Sequence, residues 1–114
     1  MEDFLDMYIS MLKIYPLPGR GQNVIDVLDS IKGPIATKAD YLDCTITVES
    51  EGNGTICYQE RWRTREALEH HLRSVQFGRV LEAMELSCTP PEVMFFKATE
   101  IGGLELVEQA RTSQ

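Results

Sequence analysis

The sequence predicts an α+β fold: a four-stranded antiparallel sheet built in the order strand, helix, strand, strand, helix, strand, with one further helix at the C-terminal end. Three observations carry this. Hydrophobic residues change period along the chain, most sharply where Ile56, Tyr58, Glu60 and Trp62 alternate with Cys57, Gln59, Arg61 and Arg63 before Leu68 and Leu72 take up helical spacing. Turn residues cluster between the periodic segments, at Pro16-Leu17-Pro18-Gly19, Gly33-Pro34, Glu51-Gly52-Asn53-Gly54 and Thr89-Pro90-Pro91. A length of 114 residues leaves room for one domain with a modest core.

Each element follows from its own residues. Residues 7–15 are rich in Ile, Met, Leu and Tyr and form the first strand, ended by the Pro-Gly cluster. Val24, Ile25, Leu28 and Ile31 recur at helical spacing, so a helix covers 20–32 and Gly33-Pro34 acts as its stop. In 41–49, Leu42, Cys44, Ile46 and Val48 alternate with Asp43, Thr45, Thr47 and Glu49, and the Gly-rich turn that follows joins this strand to 55–63 as a hairpin. Thr64 is an N-cap for a helix over 64–74, with Glu66 and Glu69 near its positive end. Leu68, Leu72 and Val75 form its stripe. A second helical stretch, 77–86, carries Val80, Leu81 and Met84 on one face, with a bend near Gln76-Phe77-Gly78. Residues 92–99, with Val93, Met94, Phe95 and Phe96, form the last strand. Gly102-Gly103 then releases a tail over 102–114, where Leu104, Leu106, Val107 and Ala110 suit a short helix packed on a partner.

This order is the ferredoxin-like βαββαβ arrangement, one domain over 1–114, with helices on one face of the sheet. The other face needs a cover. Phe95 and Met94 point opposite ways, as do Tyr8 and Ile9, so the sheet is apolar on both sides, and a second copy of the chain is the economical cover. The expectation is a homodimer in which two sheets close toward a barrel.

Composition excludes several classes of partner. Eleven basic against eighteen acidic residues give a net charge of -7, which repels a phosphate backbone, and Arg61, Arg63 and Arg65 among glutamates read as a solvated face. No nucleic acid is expected. No run of about 18 apolar residues spans a bilayer, and Glu2 and Asp3 replace the basic start of an export signal. Cys44, Cys57 and Cys88 have neither CxxC nor Cys/His spacing, so no disulfide framework or metal site is expected and a reducing cytoplasm fits. A soluble, cytoplasmic protein without membrane contact follows.

The chemistry-bearing residues gather where the third strand hands over to the helix: a carboxylate (Glu60), an indole (Trp62) and an imidazole (His71). At about 100° per residue, His71 lies roughly 60° from Leu68 and borders the apolar stripe, whereas His70 points to solvent. His71 either faces a pocket or sits at the core margin, satisfied by one hydrogen bond; spacing alone favours the second.

The string Tyr58-x-Glu60-x-Trp62-x-Thr64-x-Glu66-Ala67-Leu68-x-x-His71-Leu72-x-Ser74-x-x-Phe77 resembles the signature segment of the antibiotic biosynthesis monooxygenase family, a group of dimeric α+β barrels. The resemblance implies the same fold, a homodimer, and small monooxygenases that oxidise quinols or polyketide phenols without flavin, metal or haem. It implies His71 as the base or proton shuttle, with Glu60 orienting the imidazole or holding a substrate hydroxyl. Trp62 and Tyr58 would offer aromatic walls to a small aromatic or quinol-like substrate. Each residue has a structural alternative: Trp62 and Tyr58 as core, Glu60 in a salt bridge to a nearby Arg or Lys.

Haem-degrading relatives place an asparagine on the first strand, a tryptophan at the position matched by His71, and a haem-ligating histidine ten residues further on. Here 7–15 holds no asparagine and the last two positions are His71 and Leu81, so no haem is expected. No GxGxxG follows a strand, so neither flavin nor nicotinamide is implied. Other functions on this scaffold remain: a non-catalytic small-ligand-binding or accessory barrel, or an isomerase or decarboxylase-type lyase that needs the base but no oxygen.

Overall fold

The structure of the protein, a computed structural model, describes residues 6–50, 52 and 54–112. Strand β1 (Asp6–Ile14) leads to helix α1 (Gly21–Ile35), strands β2 (Tyr41–Val48) and β3 (Ile56–Trp62), and helices α2 (Arg65–Leu72) and α3 (Val75–Met84). Strand β4 (Glu92–Thr99) and helix α4 (Leu104–Thr112) complete the chain. The strands lie in the order β2-β3-β1-β4, each neighbour antiparallel, which is the ferredoxin-like sheet.

Alternation along β3 divides the sheet into two faces. Ile56, Tyr58, Glu60 and Trp62 are all buried, and the register places Leu12 opposite Tyr58, Ser10 and Cys44 opposite Glu60, and Ile46 opposite Tyr58 on the same side. Onto this side α1 lays Val24, Leu28, Ile31 and Ile35, and α3 adds Val80 and Ala83. Each of the larger apolar side chains is worth about 1.5–3 kcal/mol over leaving it in water. The opposite face carries Ile9 and Met11 opposite Phe96 and Met94, with Phe96 45% exposed. An Arg61–Asp43 ion pair lies on this same open face, and Arg61 also reaches the Met7 sulfur at 3.5 Å.

Several boundaries differ from the sequence expectation. Pro34 does not stop α1, which runs on to Ile35. A proline in the last turn removes one N–H, while the Ala36 N–H still reaches the carbonyls of Lys32 and Gly33 at 3.2 Å and Ile35 buries completely. The bend falls at Arg73 and Ser74 rather than Gln76-Phe77-Gly78, because Ser74 accepts the Phe77 N–H at 3.3 Å and caps a new helix. That cap resets the helical phase, so Val75 is 85% exposed instead of continuing the Leu68 stripe. Leu81 is likewise exposed, since α3 turns Val80 and Ala83 inward.

In the hairpin turn, Gly52 and Gly54 take φ of +88° and +76°, a region glycine enters without a Cβ penalty. Glu51 and Asn53 lie outside the described residues. Cys44, Cys57 and Cys88 are free thiols. No described helix is long and apolar enough to cross a membrane. Helix α4 forms as the apolar spacing requires, yet it buries none of its residues.

Candidate functional site

The three side chains that the sequence brings near one junction, Glu60, Trp62 and His71, form a closed hydrogen-bonded knot with Tyr58. Glu60 sits at its centre: Oε2 accepts from the Tyr58 hydroxyl at 2.6 Å and lies 2.9 Å from His71 Nε2, while Oε1 accepts from Trp62 Nε1 at 3.2 Å. Glu60, Trp62 and His71 are 0% exposed and Tyr58 1%. His71 therefore lies inside the core and not at its margin. The extra enclosure is aromatic: the imidazole lies 5.0 Å from the Trp62 ring, tilted by 31°, and 5.6 Å from Phe77, edge to face. Tyr41 closes the far side of Trp62 at 5.8 Å.

The local folding that holds this knot begins with the handover from β3 to α2. Thr64 leaves the strand in an extended conformation and accepts the Ala67 N–H at 3.1 Å, so α2 starts shortly after Trp62 and its last turn reaches back over the sheet. Asp40 braces the junction: its carbonyl accepts the Arg63 N–H at 2.8 Å and its carboxylate accepts from the Thr64 hydroxyl at 3.4 Å. Asp40 has φ +63°, a left-handed conformation that aspartate tolerates better than most residues. This turn between α1 and β2 brings in Lys38, whose Nζ lies 3.3 Å from His71 Nδ1.

Hydrogen-bond accounting sets the imidazole tautomer. Ser74 Oγ also lies 3.3 Å from Nδ1, but its hydrogen goes to the His71 carbonyl at 2.6 Å, so toward the ring it can only accept. An ammonium at Lys38 can only donate. With Lys38 charged, Nδ1 accepts and the ring hydrogen sits on Nε2, facing Glu60. The result is one hydrogen-bonded chain from Lys38 through His71 to Glu60. Burial pushes the Lys38 amine below its usual range, opposed by the attraction of Glu60. Burial, then the neighbouring Glu60, pushes Tyr58 far above the usual phenol range, so it stays a donor. Cys44, opposite Glu60, is pushed up to about 11 mainly by burial and is a packed thiol rather than a nucleophile.

Two open grooves flank α2. One, of about 550 Å³, is lined by Lys38, Asp40, Trp62, Thr64, Ala67, His70 and Arg73. The other, of about 360 Å³, lies over β4 between Tyr8, Leu68, Leu72, Phe95 and Lys97, with Arg65 at its rim. Trp62 reaches the first groove. Glu60, His71 and Tyr58 line neither of these two, and Tyr58 is a wall of the core, not of a groove. The three residues the sequence brings together are thus joined by hydrogen bonds under the groove floor, and His70 is exposed as its helical angle requires.

Lys38 is the member that the sequence does not reveal, and Ser74 stands in the family string without a role attached to it. Lys38 is 33 residues from His71 and sits in a turn without periodicity. For Glu60, the alternative of a partner cation resolves into a histidine with a lysine behind it. Among the described residues, no group of three or more His, Cys, Asp or Glu side chains is placed to hold a metal ion.

Fold and site together define a ferredoxin-like α+β protein with a carboxylate–imidazole pair buried between sheet and helix. Comparison with known proteins is consistent with this. The model of the antibiotic biosynthesis monooxygenase family matches residues 7–83, and the chain belongs to that family. A conserved protein from Methanosarcina mazei Go1 superposes with a TM-score of 0.72 at 18% identity, over 83% of this chain and 94% of its own. Rv0793 from Mycobacterium tuberculosis superposes with a TM-score of 0.74 at 18% identity, over 85% and 99%. A candidate antibiotic biosynthesis monooxygenase from Caulobacter crescentus CB15 gives 0.73 at 19% identity, over 85% and 93%. At these identities the likeness is one of fold. No curated protein matches the sequence.

Proposed function

We propose that the protein is a monooxygenase acting on a small phenolic or quinol-like molecule, in which the His71–Glu60 pair manages the substrate proton. Family membership supports monooxygenase chemistry. The observation that carries the finer reading is the unbroken hydrogen-bonded chain from Glu60 through His71 to Lys38, which ends on the wall of a groove large enough for a planar small molecule. A phenol held there loses its proton to give an electron-rich anion, and that anion supplies all the electrons. At an activated methylene, one oxygen atom of O₂ enters the product as a carbonyl and the other leaves as water. No cofactor is needed for that balance. Trp62, itself fully buried, backs the groove floor, and the dry core around it shields the proton store.

One observation favours a second reading, a non-catalytic small-ligand-binding or accessory protein. Glu60 and His71 are wholly enclosed, and such pairs also serve as internal bracing. Oxygen uptake with a panel of hydroquinones, naphthols and anthrones separates the two. Uptake by the wild-type protein, falling about 100-fold or more in His71→Asn, is the expected result. Equal rates in both proteins remove His71 from the chemistry, and no uptake with any member leaves the binding reading.

The functional unit in this reading is a homodimer in the cytoplasm. The open sheet face, with Met7, Ile9, Met11, Met94 and Phe96, needs a cover, and a second copy closes two sheets toward a barrel. Three free thiols suit a reducing compartment.

A further inference from the structure

We propose that Lys38, not His71, is the group that touches the ligand and exchanges its proton, with His71 passing a proton between Lys38 and the buried Glu60. This rests on the functional reading above and assigns its reacting atom. The geometry is a three-member chain with one accessible end. His71 lines neither groove and is 0% exposed, so no ligand atom reaches its ring nitrogens directly. Lys38 is half-buried, lines the larger groove, and sets its Nζ 3.3 Å from Nδ1. On the far side of the ring, Nε2 lies 2.9 Å from Glu60 Oε2. Imidazole is the one side chain that can accept at one nitrogen while donating at the other, which a two-step transfer requires.

Protons balance along the chain. In the resting form Lys38 is an ammonium, His71 carries its hydrogen on Nε2 and Glu60 is a carboxylate. Transfer of one Lys38 hydrogen to Nδ1, together with the Nε2 hydrogen to Glu60 Oε2, leaves a neutral amine, a neutral imidazole and a carboxylic acid. The same three residues hold the same number of protons. Rotation about the Cε–Nζ bond then turns the freed amine lone pair from Nδ1 toward the groove. It takes the hydrogen of a phenolic or enolic O–H: that bond breaks, an N–H bond forms, and the oxygen anion is left beside the new ammonium. An ion pair in the groove thereby replaces an ion pair through the core. Burial lowers the proton affinity of Lys38, which favours the amine form. Asp40, Glu66, His70 and Arg73 are the other titratable or charged groups lining this groove.

Ser74 has a supporting part as a positioning residue. Its hydroxyl is fixed by the His71 carbonyl and by the Phe77 N–H, so it crowds Nδ1 without being able to donate to it. Lys38 is then the sole donor at that nitrogen among the described residues.

The test uses Lys38→Met and Lys38→Arg in the full chain. Arginine keeps the positive charge but does not give up a proton, so it separates a base from a fixed charge. With a substrate from the phenol panel, both variants are expected to lose about 100-fold or more in kcat. Recovery of wild-type kcat in Lys38→Arg overturns the assignment. A second readout needs no substrate: ¹⁵N NMR of the two histidines, assigned with His70→Asn. The His71 Nδ1 resonance is expected to move in Lys38→Met while the backbone spectrum stays folded. An Nδ1 resonance identical in the two proteins overturns the relay even when no substrate is found. A moved resonance with no oxygen uptake in wild type keeps the relay and removes the monooxygenase reading.

Discussion

Around Glu60, three fully buried polar or aromatic side chains point donors at one carboxylate, and no buried side-chain polar atom among the described residues lacks a partner. Along β4 and α4, the reverse holds. Phe95, Phe96, Ile101, Leu104 and Val107 are between 45% and 81% exposed, and α4 buries nothing. Both regions place residues against their usual environment, polar groups inside and apolar groups outside. The difference lies in completion. The knot supplies all its own partners from one chain, so it is rigid and intolerant of change. The β4–α4 edge is left unfinished by one chain, so its residues tolerate change in the monomer and matter only when something covers them.

The sharpest test of the contrast is removal of the central carboxylate. Glu60→Ala strands the Tyr58 hydroxyl, the Trp62 indole N–H and the His71 Nε2 hydrogen in a dry core and leaves a cavity. A loss of about 3–5 kcal/mol in urea-induced unfolding is expected. A loss below about 1 kcal/mol would mean that the knot is not a self-complete unit.

Tyr58→Phe removes one donor and keeps the shape, with an expected cost of about 1.5–3 kcal/mol at neutral pH for a hydrogen bond to a charged group. It also changes the alkaline limb. Folded Tyr58 holds its proton to higher pH than the unfolded chain, whose value is near 10.0, because it is buried beside Glu60. Above that pH the folded state binds more protons, so this contribution to stability is complete below about pH 10 and is lost as pH rises further. The wild-type protein should therefore lose stability more steeply above pH 10 than Tyr58→Phe. Parallel curves would place the effect elsewhere.

On the unfinished side, Phe96→Glu is expected to change monomer stability by less than about 1 kcal/mol, since the side chain is half exposed. Its effect should fall on assembly. Light scattering at micromolar concentration is expected to give twice the 12.9 kDa chain mass for wild type and the single mass for the variant. A wild-type mass of one chain refutes the two-copy closure. The smallest effect belongs to truncation after Gly103: α4 buries none of its residues, so denaturation of the truncated monomer should shift by less than about 0.5 kcal/mol. A larger shift would show that α4 has a partner the monomer does not display.

Much of the fold is legible in the residues themselves. Period-two alternation from Ile56 to Trp62 places four side chains on one face, and all four are buried. Thr64 announces the start of α2, and Gly102-Gly103 the release of α4. These signals are local, because strand pleat, helix pitch and capping are set by a few consecutive residues. The failures are local signals too, the first overruled by packing and the second by a competing local cap. Pro34 loses to the burial of Ile35, and the helical phase of Leu68 and Leu72 ends at Ser74, whose hydroxyl serves both the His71 carbonyl and the Phe77 N–H.

Residue identity and spacing alone determined the βαββαβ order, the two-sided sheet and the gathering of Glu60, Trp62 and His71 at one junction. Tertiary structure decided how deep His71 lies, that Tyr58 and Trp62 turn their donors onto Glu60, and that Lys38 completes the chain at the groove. The depth of His71 depends on how α2 settles on the sheet, and the place of Lys38 on how a turn far away in the chain settles against α2. Hydrophobic period says which face a side chain takes, whereas a hydrogen bond across the core needs the packed positions of three separate elements.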